Sequence, residues 1–311
     1  MLDASAAAMF DVRKDIIVSL NKLTHVKEPL MKYIFLLAAM ASILAVALIC
    51  VFLFINGVPA IAEIGPFRFL LGRVWAPSDT PPLFGLLPMI MGSIYVTAGA
   101  IIVGVPIGVL TAIFMAKFCP PSIYRVLKPA TQLLAGIPSV VYGFFGLIVL
   151  VPFVRETFGE QFGGNGQSIF TASILLGIMI LPTIIGVSEA AIRAVPDSYY
   201  EGSVAMGASH ERSVFFVMVP AAGSGIMTSV ILGIGRAIGE TMAVILVAGN
   251  QTRMPTGLFR GVRTLTANIV MEMGYASELH LEALIATGVV LFVFILIINL
   301  LFNLIKGRKK Y

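Results

Sequence analysis

Long uncharged apolar stretches recur along this chain and restrict its fold more than any other feature. Between Tyr33 and Ile55 there is no charged residue, and about 20 apolar residues suffice for a helix to cross a hydrocarbon layer about 30 Å thick. The stretch is too long for the core of a signal peptide and lacks a small-residue cleavage site, so it is expected to stay as a membrane helix. Comparable runs lie at about 87–115, 133–154, 169–191, 222–248 and 284–305. An all-α membrane protein with six transmembrane helices is expected. Composition agrees: 12% of the residues are charged, where soluble domains carry about 25%.

Orientation follows from the cations, because Lys and Arg resist translocation while acidic residues count little. With the N-terminus inside, 14 of the 21 Lys and Arg fall on the inner side, 6 on the outer side, and Arg236 lies within the fifth run. Both termini are therefore expected in the cytoplasm. The net charge of +5 is mostly this topology signal, so nucleic acid is not expected as a partner; membrane lipid is. Residues 1–32 place Ile16, Ile17, Leu20 and Leu23 among cations, the pattern of an interfacial segment on the inner leaflet. Residues 33–311 form the expected transmembrane domain. Cys50 and Cys119 offer neither a disulfide framework nor metal spacing, so both are read as packing residues and no metal site is expected.

Interruptions point to transport. Pro88, Pro106, Pro138, Pro152 and Pro182 fall within or at the ends of spans. Each removes a backbone donor, and the freed carbonyls are tolerated at membrane depth only inside protein or along a wet cavity. Just after Pro138, Ser139 and Tyr142 are candidates to face a polar path; equally, Tyr142 can serve a carbonyl that Pro138 leaves free. In the fifth run, Gly235 and Gly239 are spaced as a close-packing helix face. Arg236 and Glu240 are the most informative pair, because an ionisable residue at mid-membrane costs about 2.5–3.5 kcal/mol even on the lenient insertion scale. Their i, i+4 spacing would put both on one helical face, where they can pair. Such residues belong at a bundle interior or on a substrate path.

The inner segment at about 193–220 differs in kind. Pro196-Asp197-Ser198 can start a short helix and Gly207 can end one in a left-handed conformation. His210 is expected to be a solvated loop residue. No nucleophile with a base is evident, so no catalytic residues are expected.

This loop resembles the permease subunits of ABC importers, whose coupling loop reads E-A-A, three residues, G, nine residues, I-x-L-P. Glu201-Gly202-Ser203 stands for E-A-A, Gly207 for the glycine and Val217-Met218-Val219-Pro220 for the ending, with both spacings kept. Beyond that superfamily, the segments at 136–146, 189–207, 233–250 and 263–266 resemble the C-type permease of phosphate-specific transport systems. The resemblance implies a type I ABC importer permease fold in a bacterial inner membrane. It further implies a heterodimer with a related A-type permease, two copies of an ATP-binding subunit and an extracytoplasmic phosphate-binding protein. The chain has no G-x-x-x-x-G-K-[ST] motif, so no cofactor is expected on it; ATP and Mg are used by the partner ATPase. Two other readings fit the residues: a permease for sulfate or molybdate, and an anion channel or signalling subunit that needs no ATPase.

Overall fold

The computed structural model describes residues 2–162 and 164–307, with side chains from Met31 onward except at 160, 162, 303 and 305–307. The amphipathic pattern at 16–27 lies outside the described side chains. Contacts divide the chain into two units, 1–55 and 56–311. Helix α1 (Leu2–Ile64) supplies all of the first unit that is described. Every residue at 31–49 is exposed, as expected of an apolar helix whose solvent is lipid.

The second unit continues through α2 (Pro66–Leu71) and a hairpin of β1 (Trp75–Ala76) and β2 (Leu83–Phe84), antiparallel with Trp75 opposite Phe84. There follow α3 (Leu87–Ile113), a π-helical turn (Phe114–Phe118), α4 (Pro121–Gly136), α5 (Ser139–Phe145), a second π turn (Gly146–Leu150) and α6 (Val151–Phe162). The remainder is α7 (Ile169–Arg193), α8 (Asp197–Ala205), α9 (His210–Ser213), a third π turn (Val214–Met218), α10 (Val219–Ala221), α11 (Gly223–Gly239), α12 (Met242–Val247), α13 (Leu265–Glu272) and α14 (Glu278–Gly307).

Among the described residues, five segments are long and apolar enough to cross a membrane: Met31–Ile64, Leu87–Phe118, Ser139–Gly159, Ile169–Arg193 and Glu278–Phe302. A sixth is formed when His210–Ala221 and Gly223–Gly239, bent by 67°, are counted as one. Six spans were expected, and two of them differ in detail. The third begins at Ser139 rather than near residue 133, because Ile137 and Pro138 are extended and separate α4 from α5. The fifth is not continuous over 222–248, because α11 ends at Gly239 and α12 starts at Met242.

Helix α7 is the centre of the bundle, with Leu175, Leu176, Met179, Ile180 and Ile184 buried. An α-helix that is apolar all round is covered all round. Against it lies α3, brought close by glycine: a Cβ at Gly104 would sit 2.7 Å from Ile180 Cδ1 and 2.8 Å from the Gly177 carbonyl oxygen. Helix α11 joins through the Ser188–Ser229 hydroxyl pair at 2.7 Å. Two smaller cores flank this one. One gathers Phe69, Trp75, Phe84, Leu86 and Leu284; the other gathers Ile113, Ile192, Val195, Val214 and Met218 near α8.

Candidate substrate path and coupling surface

The break in the fifth span is built by Glu240. Its backbone turns extended (φ −72°, ψ 131°), and its carboxylate Oε1 accepts the Ala243 N–H at 3.2 Å, serving one of the orphan donors that open α12. Its carbonyl accepts the Thr266 hydroxyl at 3.0 Å. The helical face expected to unite Arg236 and Glu240 therefore ends before Glu240. Among the described residues no carboxylate lies within 4.0 Å of Arg236, which is half-buried in the last turn of α11.

Tyr142 is buried in the central core together with Ala237, the neighbour of Arg236 in sequence. Its hydroxyl donates to the Leu134 carbonyl at 2.8 Å. Ser139 is half-buried at the first turn of α5. At Gly235 and Gly239, no atom outside their own helix backbone and chain neighbours lies within 4 Å of where a Cβ would stand. No helix of this chain packs there among the described residues.

The inner-loop helix forms as its punctuation suggests. Pro196 precedes α8, and Gly207 beyond it adopts φ +84°, a left-handed conformation in which a side chain is strained. Glu201, Gly202 and Gly207 are exposed, Ser203 accepts a hydrogen bond from Ser213 at 2.9 Å, and Pro220 is exposed in α10. His210 is not a solvated loop residue: it opens α9, pairs through Nδ1 with the Tyr200 hydroxyl at 2.9 Å and packs edge-on against Phe118. The described residues hold no cluster of metal-ligating side chains.

Two polar clusters escaped the sequence reading. In the first, Glu189 of α7 is almost fully buried and accepts from Tyr124 Oη at 2.7 Å, Lys128 Nζ at 2.7 Å and Arg193 Nε at 2.8 Å. Arg193 also donates to the Met115 carbonyl at 2.8 Å and lies over the Tyr124 ring. Hydrogen bonding to the Glu189 carboxylate, then burial, raises the Tyr124 phenol above its ordinary pKa. In the second, Glu272 of α13 accepts from Trp75 Nε1 at 2.8 Å, pairs with His280 Nε2 at 2.9 Å and forms an ion pair with Arg263. Their members lie 61 to 65 and up to 197 positions apart in sequence; the only local signal was the i, i+4 spacing of Glu189 and Arg193.

The family model of the binding-protein-dependent transport system inner membrane component matches residues 104–311. A probable ABC transporter permease protein, YqgH of Bacillus subtilis, is 39% identical over 276 residues, 88% of each chain. The chain belongs to this permease family. A phosphate transport system permease protein PstC from Mesorhizobium japonicum is 36% identical over 262 residues, 79% of each chain.

Among solved structures, this permease resembles a chain of a bacterial alginate ABC transporter (TM-score 0.59, 17% identity, 88% of this chain and 94% of that one). It also resembles a chain of the MetNI methionine ABC transporter in inward-facing form (TM-score 0.58, 19% identity, 73% and 98%). The fold is that of a type I ABC importer permease. The chain is accordingly a multi-pass inner-membrane permease component rather than a catalytic subunit.

Proposed function

We propose that this permease carries inorganic phosphate inward for an ATP-driven importer, working by alternating access. Its partners are a related A-type permease, two copies of an ATP-binding subunit that use ATP and Mg, and an extracytoplasmic phosphate-binding protein. The termini and α8 face the cytoplasm, following the cation asymmetry. Segment 193–220 serves as the coupling loop: α8, with exposed Glu201 and Gly202 and half-buried Ser203, and Gly207 just beyond it dock on the ATPase, and Pro220 marks the end of that segment.

The observation that carries the reading is Arg236, a half-buried cation next to a helix break, with no carboxylate within 4.0 Å among the described residues. A planar guanidinium offers an oxyanion a bidentate donor fork. Glu240 limits how tightly the anion is held, and its carboxylate has acceptor capacity left beyond the Ala243 N–H for the proton of monohydrogen phosphate, which sulfate lacks. Tyr142 and Ser139 border this path. The test is labelled-anion uptake by the reconstituted complex. Arg236→Ala is expected to lower phosphate uptake by at least about tenfold, as loss of a charge-assisted contact of about 1.5–3 kcal/mol requires. Glu240→Gln is expected to narrow the preference for phosphate over sulfate. Normal uptake by both variants would leave the two residues as scaffolding.

A further inference from the structure

Helix α4 is placed oddly for an element of a packed bundle. It runs sixteen residues, about 24 Å at 1.5 Å per residue, and none of them is buried. Apart from half-buried Leu134, which packs on the central core, it is tied to the bundle by polar bonds at two places. In its first half, Tyr124 and Lys128 grip Glu189 of α7. Near its end, the Leu134 carbonyl is held by Tyr142 of α5, in the core cluster that contains Ala237 beside Arg236.

The first attachment leads directly to the inner loop. Arg193, which shares the Glu189 carboxylate, is four residues before Asp197, where α8 begins. Its guanidinium also holds the Met115 carbonyl in the π turn. From that same turn Lys117 reaches Asp197 at 3.6 Å. A single buried carboxylate thus joins the root of α8, the inner end of the second span and α4.

We propose that Glu189 is the positioning residue that links movement of α8 to Arg236, with α4 as the rod between them. The inference rests on the transport reading above. Two i, i+4 pairs, Tyr124/Lys128 on α4 and Glu189/Arg193 on α7, interlock at one carboxylate. When α8 and the base of α7 shift, α4 must follow, because none of its side chains is fully buried and its apolar contact with the core, Leu134, lies at its other end. Its far end then shifts the Leu134–Tyr142 contact and, through the shared core, Arg236. Without the carboxylate, Lys128 and Arg193 are two cations facing each other, and the rod is released.

The test is the ratio of anion transported to ATP hydrolysed by the reconstituted complex, for Glu189→Gln and, separately, for the pair Lys128→Met with Tyr124→Phe. The second variant changes only α4 and leaves the Glu189–Arg193 bond intact, so bundle packing is preserved. Both are expected to keep hydrolysis while the ratio falls by at least about fivefold, the low end of measured coupling between sites. Glu189→Asp, which keeps the charge, is expected to recover part of it. An unchanged ratio in the two uncoupling variants overturns the inference, including the case in which uptake and hydrolysis fall together. The ratio is read for whichever anion stimulates the wild-type complex. Stimulation by sulfate in place of phosphate would therefore defeat the substrate assignment and still decide the role of Glu189.

Discussion

The Tyr142 hydroxyl donates to the carbonyl of Leu134 at 2.8 Å, the oxygen four residues before Pro138. In a continuous helix that oxygen would accept from the nitrogen of residue 138, which proline cannot supply. Tyr142 thus replaces a missing backbone donor while lying in the core cluster that holds Ala237. Tyr142→Phe keeps the ring and removes only the donor, leaving a part-buried carbonyl unserved at a cost of about 1–3 kcal/mol. The purified complex is expected to melt at a lower temperature and to take up phosphate more slowly. A melting curve identical to wild type would show that the bond does not hold the α4–α5 corner.

Two glycines of opposite surroundings make a matched pair. A Cβ at Gly143 would stand 2.7 Å from Leu246 Cδ1 and 2.8 Å from Ala243 Cα. The leucine tip can move, but the Ala243 backbone cannot without disturbing the N–H that Glu240 caps. Gly143→Ala is expected to destabilise by about 1–3 kcal/mol, as overpacking does. Gly202, inside α8, has nothing within 4 Å of its would-be Cβ, and alanine favours a helix over glycine by about 0.8–1 kcal/mol. Gly202→Ala is expected to be neutral or stabilising. Thermal melting of both variants side by side checks the contrast.

Span count and the punctuation of α8 were legible because both are local. Hydropathy needs only a run of residues, and Pro196 and Gly207 act through their own backbone. The break at Glu240 was not legible, because no proline marks it. It is held by a side chain capping forward to Ala243 and by Thr266, 26 residues later. Assuming a continuous helix, i, i+4 spacing pointed to an Arg236–Glu240 pair that the break dissolves. Gly235 and Gly239 likewise show the spacing of a packing face, while whether anything covers that face is decided by neighbours the spacing does not contain. Glu189 was hidden for a related reason: its partners Tyr124 and Lys128 sit on a helix more than sixty residues earlier, and only folding brings α4 across α7.

The Glu272 cluster ties the β1–β2 hairpin to α13 through the single tryptophan of the chain. Arg263 is mostly buried and bonds Glu272, the Asn268 side chain and the Asn250 carbonyl. Removing the carboxylate by Glu272→Ala leaves that cation without its counter-charge, at a cost of about 3–5 kcal/mol for a buried pair. Glu272→Gln keeps an acceptor for Trp75 and is expected to cost less. The local readout is Trp75 emission, taken as the difference from a Trp75→Phe background. A clear spectral shift is expected for Glu272→Ala and a smaller one for Glu272→Gln. An unaltered spectrum in Glu272→Ala would mean that Trp75 does not depend on this bond.

The hydrogen bond to Glu189 raises the Tyr124 phenol above its ordinary value, which fixes the sign of a pH dependence at the α4–α7 junction. A group whose pKa is raised on folding contributes its full stabilisation below its unfolded value, about 10 for tyrosine, and loses it as pH climbs through the higher folded value. The Tyr124–Glu189 contact is therefore expected to be intact from neutral pH up to about 10 and, on the alkaline side, to fail when the phenolate repels the carboxylate. Tyr124→Phe should leave the neutral-pH slope of stability unchanged and remove one late-ionising phenol from the alkaline absorbance titration. If the tyrosine lost in that variant ionises early rather than late, Tyr124 does not donate to Glu189 in solution.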